Sequence, residues 1–173
     1  MNQTIIRTAT EPDVPGILEI YNDAILNTTA TFDTEPQTLE EKRKWLRETA
    51  YPYIVLVAER AGQVVGWASL RRFRTKAAYR YTAENSVYVR KDCHAEGIGT
   101  ALMRRLVDVG ADSGFHTIIA GIAGDNPASL RLHRRFGFEI VGVEREVGYK
   151  FERWINVTWM QKILSEDQAA REK

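Results

Sequence analysis

Two stretches of this chain bring together residue types that can do chemistry. The first is Val87-Tyr88-Val89-Arg90-Lys91-Asp92-Cys93-His94-Ala95-Glu96-Gly97-Ile98-Gly99-Thr100-Ala101-Leu102, where a β-rich run ends in a turn and two glycines lead into an apolar-periodic helix. Such a junction presents unpaired backbone N–H groups at the positive end of a helix, a site suited to phosphate or pyrophosphate. Glycine there permits close approach of a ligand and a positive φ. A nucleotide P-loop would need Gly-Lys-Ser/Thr, whereas Gly99 is followed by Thr100 and Ala101. A dinucleotide fingerprint would need Gly or Ala where Leu102 stands, and it belongs nearer the start of a βαβ unit. The second stretch is Asn126-Pro127-Ala128-Ser129-Leu130-Arg131-Leu132-His133-Arg134-Arg135-Phe136-Gly137-Phe138. Asn126, Ser129 and His133 recur at i, i+3 and i+7, so one face of a helix carries all three.

The elements that must hold these residues follow from periodicity. Residues 4–9 alternate as a first strand. Val14, Ile17, Leu18, Tyr21 and Ile25 fall at helical spacing in residues 13–26, with Asp13 as N-cap and Pro15 in the first turn. Thr38-Leu39-Glu40-Glu41 reads as a capping box opening a helix through Trp45 and Leu46. Residues 53–60 and 63–71 are strands joined at Ala61-Gly62, and residues 80–90 form another. The helix after the glycine loop carries Ile98, Ala101, Leu102, Leu106 and Val109 on one face and ends before Gly114. Phe115 to Ile122 is a buried strand, and Asn126 caps a helix that begins at Pro127 and stops at Gly137. Phe138 to Val143 and Trp154 to Ile163 complete the strands, and residues 165–173 form a polar tail outside a single domain of residues 1–164. The order β-α-α-β-β-β-α-β-α-β-β predicts an α/β sheet with helices on both faces.

Composition narrows the classes. At 173 residues the chain suits one domain. Its 24 basic and 23 acidic side chains give no general pull toward nucleic acid or an anionic membrane. No run reaches the length of a bilayer span, and the first residues lack the pattern of a signal peptide. The one cysteine, Cys93, makes no internal disulfide or metal cluster, which points to the reducing cytoplasm. The segment Leu70 to Tyr81 holds five cations and three aromatics, but it is too short to read as a nucleic-acid surface in a chain of net charge +1.

Taken together, His94-Ala95-Glu96-Gly97-Ile98-Gly99 and the Asn126 to Phe138 helix resemble the GCN5-related N-acetyltransferase (GNAT) superfamily. That superfamily carries Gln/Arg-x-x-Gly-x-Gly/Ala after its fourth strand and later Asn-x-x-Ser/Ala-x-x-x-Tyr-x-x-x-Gly-Phe. The resemblance spans about residues 4–163. Ile20 to Ala30, Thr82-Ala83-Glu84-Asn85-Ser86-Val87-Tyr88-Val89, Leu132-His133 and Gly148-Tyr149-Lys150-Phe151-Glu152-Arg153-Trp154 look like the phosphinothricin and methionine sulfone/sulfoximine acetyltransferases.

The resemblance implies a mixed, mostly antiparallel twisted sheet whose strands splay at an acetyl-CoA site. It implies acetyl-CoA as cosubstrate, no metal, a small amino-acid-like amine as acceptor and a homodimer, with Trp154 and Trp159 as interface or core aromatics. The backbone of Val87, Tyr88 and Val89 would hold the pantetheine, with an N–H near Val89 polarising the acetyl carbonyl. His94, Ala95, Glu96, Gly97, Ile98, Gly99 and Thr100 would surround the pyrophosphate, and Asn126 and Ser129 would meet the pantetheine arm. Glu84 stands where the superfamily places the base that deprotonates the amine. His133 replaces a common tyrosine, as it does in the phosphinothricin-type enzymes, and would act as thiolate acid, helper base or cofactor contact. Phe73, Arg74, Thr75, Arg80, Glu84, Asn85 and Lys150 would line the acceptor pocket.

The chain departs from the pattern at His94, where Gln or Arg usually contacts phosphate, and at Glu96, which adds a negative charge beside the loop. It departs again at Asn85, Glu152 and Asn156 on the acceptor side. Alternative readings are transfer to a peptide N-terminus or a polyamine, or a non-catalytic acyl-CoA sensor. Cys93 has no base partner in the sequence and is not expected to act as a nucleophile.

Overall fold

Ala61 and Gly62 both adopt positive φ, 51° and 78°, the conformation of a tight hairpin turn. They join β2 (Ile54–Arg60) to β3 (Gln63–Arg72) in the computed structural model, which describes residues 3–164. Before them come β1 (Ile5–Thr8), α1 (Val14–Asn27) and α2 (Leu39–Arg47). After them come β4 (Thr82–Val89), α3 (Ile98–Asp112), β5 (Thr117–Ala123), α4 (Pro127–Arg135), β6 (Glu139–Lys150) and β7 (Arg153–Ile163). The seven strands form one sheet in the order β1-β2-β3-β4-β5-β7-β6. Every neighbouring pair is antiparallel except β4 and β5, which run parallel.

Strand alternation divides the core between the two faces of this sheet. Ile17 and Ile20 of α1 pack with Val55, Val57 and Trp67 on one face. Ile98, Leu102, Met103 and Leu106 of α3 pack with Leu70, Ala83 and Ile118 on the other. Leu102, Met103 and Leu106 have no exposed surface, and burying a side chain of this kind stabilises the fold by about 1.5–3 kcal/mol. Among the described residues no helix is long and apolar enough to cross a membrane, and no acidic, His or Cys cluster could hold a metal.

Two local readings change. Asp13 stands at the N-cap position of α1, but its side chain does not bond the helix N–H groups. It lies in a short 3-10 turn, accepts hydrogen bonds from the Thr10 N–H and hydroxyl, and pairs with Arg7 at 2.7 Å. The capping box read at Thr38 is present, with Glu41 accepting from the Thr38 N–H at 2.7 Å. β6 runs on to Lys150 instead of stopping at Val143. Apart from the buried Lys150 at its end, its residues are exposed or half-exposed on both faces, so the sequence shows no alternation to follow. The tail read at residues 165–173 lies outside the described residues.

Charged side chains are buried against expectation, Lys42 most of all. Lys42 on α2 is 2% exposed, with its ammonium 3.9 Å from the Tyr21 ring centroid and 4.6 Å from that of Trp45. Burial pushes it down to about 8, with Asp33 opposing and Arg71 adding to that shift.

Candidate active site

The parallel ladder between β4 and β5 is short. It pairs Thr82, Ala83 and Glu84 with Thr117, Ile118 and Ile119, and then the strands part. Beyond that point β4 stays with β3 and β5 stays with β7, which leaves two sheet edges facing a cleft inside the fold. The Arg90 N–H bonds the Val65 carbonyl on β3, so the groups of Val87 and Val89 point the other way, into the cleft. Asn126, Ser129 and His133 of α4 line its wall, together with Gly121 of β5.

At the mouth of the cleft lies the glycine loop. Ala95 and Gly97 adopt left-handed φ values of 64° and 83°, a curled backbone that gathers N–H groups. The N–H groups of Gly97, Ile98, Gly99 and Thr100 have no hydrogen-bond partner among the described residues, as expected for the first turn of a helix without a side-chain cap. The donor set is therefore one that fits a pyrophosphate. Glu96 does not leave a free negative charge there, because Arg60 at the end of β2 pairs with it. Nothing in the local sequence announces Arg60, which arrives through the β2–β3 hairpin. His94 folds back instead of facing the loop, and its Nε2 donates to the Val89 carbonyl at 3.0 Å.

Alternation along β4 separates the remaining candidates. Glu84, Ser86 and Tyr88 share the face of Arg71, Ser69 and Trp67, their register partners on β3. Asn85, Val87 and Val89 share the opposite face, where α3 packs. Glu84 is half-buried, and burial pushes its carboxyl above the ordinary carboxylate range while the charge of Arg74 opposes the shift. Arg74 lies over the Phe73 ring at 4.8 Å and donates to the Tyr79 hydroxyl at 3.3 Å. Thr75 is exposed beside it.

On the other face His133 is 5% exposed. Its Nδ1 sits 2.8 Å from the Ser129 carbonyl, which fixes the proton on that nitrogen, and Nε2 accepts from the Asn85 amide at 3.1 Å. Burial holds its pKa below the usual histidine value, so the ring is neutral. Asn85 also approaches Met103 Sδ at 3.6 Å, and its Oδ1 is buried without a partner. Asn126 is an N-cap, as expected, accepting from the Ser129 N–H at 3.0 Å.

Three acceptor-pocket candidates are placed differently from the expectation. Lys150 is 6% exposed and donates to the Thr31 carbonyl at 2.9 Å, so it ties down the α1–α2 loop instead of facing a substrate. Asn85 faces α3, not the Glu84 side, because adjacent strand residues point to opposite faces. Arg80 lies over the Tyr81 ring at 4.5 Å on the exposed turn before β4. Sequence reading missed the α1–α2 loop as a wall of the site. Ala30 lines the cleft, Tyr88 donates to the Ala30 carbonyl at 3.2 Å, and Tyr21 donates to Asp33 at 2.8 Å. Each of these contacts joins residues far apart in the chain.

A splayed parallel pair above a glycine-opened helix is the geometry that the sequence resemblance required. The family model of the acetyltransferase (GNAT) domain matches residues 6–159. The chain belongs to the GNAT acetyltransferase family. Among relatives of this GNAT chain is the L-methionine sulfoximine/L-methionine sulfone acetyltransferase of Pseudomonas paraeruginosa, 42% identical over 95% of this chain and 97% of the relative. A phosphinothricin acetyltransferase from Sinorhizobium meliloti, solved in complex with acetyl-CoA, superposes with a TM-score of 0.89 at 36% identity, covering 93% of this chain and 88% of that one. A ribosomal-protein-alanine N-acetyltransferase from Brucella melitensis superposes with a TM-score of 0.90 at 45% identity, covering 92% and 99%. These GNAT neighbours share the mixed sheet described above.

Proposed function

We propose that this GNAT chain transfers an acetyl group from acetyl-CoA to the α-amine of a small amino-acid-like acceptor of the methionine sulfone, methionine sulfoximine or phosphinothricin type. The observation that carries the reading is a half-buried Glu84 on the Tyr88 face of β4, beside the start of the splay and near enough to Arg74 to feel its charge. A base with a cation nearby suits a molecule that holds an amine and an anionic group on one carbon. Residues 1–164 act in this reading as a single acetyltransferase domain.

Bound acetyl-CoA supplies an activated thioester. The free edge of β4 at Val87 and Val89 pairs with its arm, the N–H groups of Gly97 to Thr100 hold its pyrophosphate, and Asn126 and Ser129 flank it. Arg74 holds the acceptor's carboxylate, and Glu84 takes a proton from its ammonium. The amine attacks the acetyl carbonyl while a Val89 N–H stabilises the developing oxyanion, so that a C–N bond forms, the C–S bond breaks with CoA leaving as its thiolate, and the second proton of the attacking nitrogen passes to solvent. His133 carries its only proton on Nδ1, facing the Ser129 carbonyl, so it shapes the base of the cleft with Asn85, and the leaving thiolate is protonated by solvent.

The 45% identity to a ribosomal-protein-alanine acetyltransferase favours a second reading, transfer to a protein N-terminus. In a peptide the α-carboxylate is an amide, and Arg74 then has no anion to hold. Release of the CoA thiol with phosphinothricin, methionine sulfone, methionine sulfoximine, a polyamine and an alanine-started peptide separates the readings. Turnover on the amino-acid analogues is expected at least tenfold above that on the peptide. Turnover on the peptide alone would reverse the assignment, and tight acetyl-CoA binding without any turnover would favour a sensor.

The β6–β7 hairpin supports a homodimer. Val141, Val143, Tyr149 and Trp154 are 57%, 53%, 57% and 63% exposed on an edge strand and its neighbour, an apolar surface that a lone chain would leave in water. Light scattering is expected to give a dimer for the wild type and a monomer for Trp154→Asp; a monomeric wild type sinks the assignment. The unpaired thiol of the buried Cys93 supports a cytoplasmic location.

A further inference from the structure

The register of β5 and β7 places Gly121 opposite Trp159. A Cβ at residue 121 would lie 2.9 Å from Cζ3 and 3.1 Å from Cη2 of that indole, so the benzo edge of the ring rests on the glycine backbone. Only a residue without a side chain lets the ring lie there. Trp159 starts on β7 and reaches over β5 toward β4, which ends its parallel ladder with Glu84 beside Ile119. Ile119 and Gly121 are two residues apart on β5, so Glu84 and the indole share one face of the sheet. Gly121 also lines the cleft. Phe73 meets the indole edge-to-face at 6.2 Å and carries Arg74 above its own ring. The indole is thus the apolar surface lying between the base, the cleft and the cation.

Resting on the proposed transfer to an amino-acid amine, we infer that Trp159 is the specificity-determining residue for the acceptor's side chain. Glu84 fixes the amine and Arg74 the carboxylate, two of the substituents on the α-carbon. The third, the side chain, is then directed onto the indole, with Phe73 closing its far side. A flat aromatic floor takes an unbranched apolar stem of about methionine length and gains nothing from an acceptor that ends at its β-carbon.

The test compares kcat/KM for methionine sulfone and alanine in the wild type, Trp159→Ala and Gly121→Ala, with acetyl-CoA binding followed by calorimetry. Trp159→Ala is expected to lower the value for methionine sulfone by about tenfold or more and that for alanine by less than about threefold, with acetyl-CoA affinity unchanged. Gly121→Ala keeps the tryptophan but lifts it off the strand, and is expected to shift the ratio in the same direction. A fall that is equal for both acceptors, or none in either variant, overturns the role of Trp159 while leaving the transfer reading intact. A wild type that acetylates no free amino acid overturns both, and that result is visible before any variant is made.

Discussion

Glu84→Gln is expected to lower turnover by about 10²–10³-fold while leaving the dissociation constant of acetyl-CoA unchanged. Glutamine keeps the size and the hydrogen-bonding edge of the side chain but cannot take a proton from an ammonium. The side chain lies on the face of β4 opposite Val87 and Val89, so the edge that meets the thioester arm is not touched by the exchange. The pH profile makes the assignment sharper. Glu84 works as a base only when ionised, and burial holds its pKa above the ordinary value of 4.5. Wild-type kcat should therefore fall on the acid side at a pH above the normal carboxylate range. In the variant that limb disappears, and the residual rate climbs about tenfold per pH unit until the acceptor amine itself is deprotonated. Equal rates for the two proteins between about pH 6 and 9 would remove Glu84 from the chemistry.

Lys42→Met is expected to raise stability near neutral pH by about 1–3 kcal/mol, and the gain should vanish as the pH approaches 10.5. The folded ammonium titrates at about 8 against 10.5 for the free side chain. The unfolded chain therefore binds this proton more tightly, so wild-type stability rises as pH climbs from about 8 to 10.5 and is lost as pH falls back through 8. Two and a half units correspond to about 3.4 kcal/mol, of which cation–π contact with Tyr21 and Trp45 recovers part. Methionine leaves a stem of similar shape among the rings, with no charge to desolvate. Denaturant titrations at pH 7 and pH 10 measure the difference at both ends. A variant less stable than wild type at pH 7, or an offset that does not change with pH, would defeat the argument.

What the sequence made legible was what is encoded locally. Gly97 and Gly99 sit where a backbone must curl and then open a helix, and Ala61-Gly62 where a hairpin must turn. Asn126 caps because its side chain reaches an N–H three residues on. The pairing of Lys150 with the Thr31 carbonyl spans 119 residues and has no local signature. Arg60 beside Glu96 and Trp159 on Gly121 are likewise products of strand register, set only when the whole sheet assembles. Asn85 is a different case. Adjacent strand residues must face apart, so its separation from Glu84 was implied by periodicity alone. The family pattern drew both residues into one pocket, and the alternation rule overrides it.

That alternation has a consequence for how variation in this chain should be read. Along β4 the even positions 84, 86 and 88 and the odd positions 85, 87 and 89 belong to different chemical tasks, although they are neighbours in one strand. Parity, more than proximity to any one residue, tells what a replacement there will disturb. A single inserted residue would exchange the two sets at a stroke, turning the base toward α3 and Asn85 toward the amine, whereas an insertion of two would restore them. Acceptor preference and cofactor affinity can therefore drift independently by substitution, but β4 cannot tolerate a change of length by one.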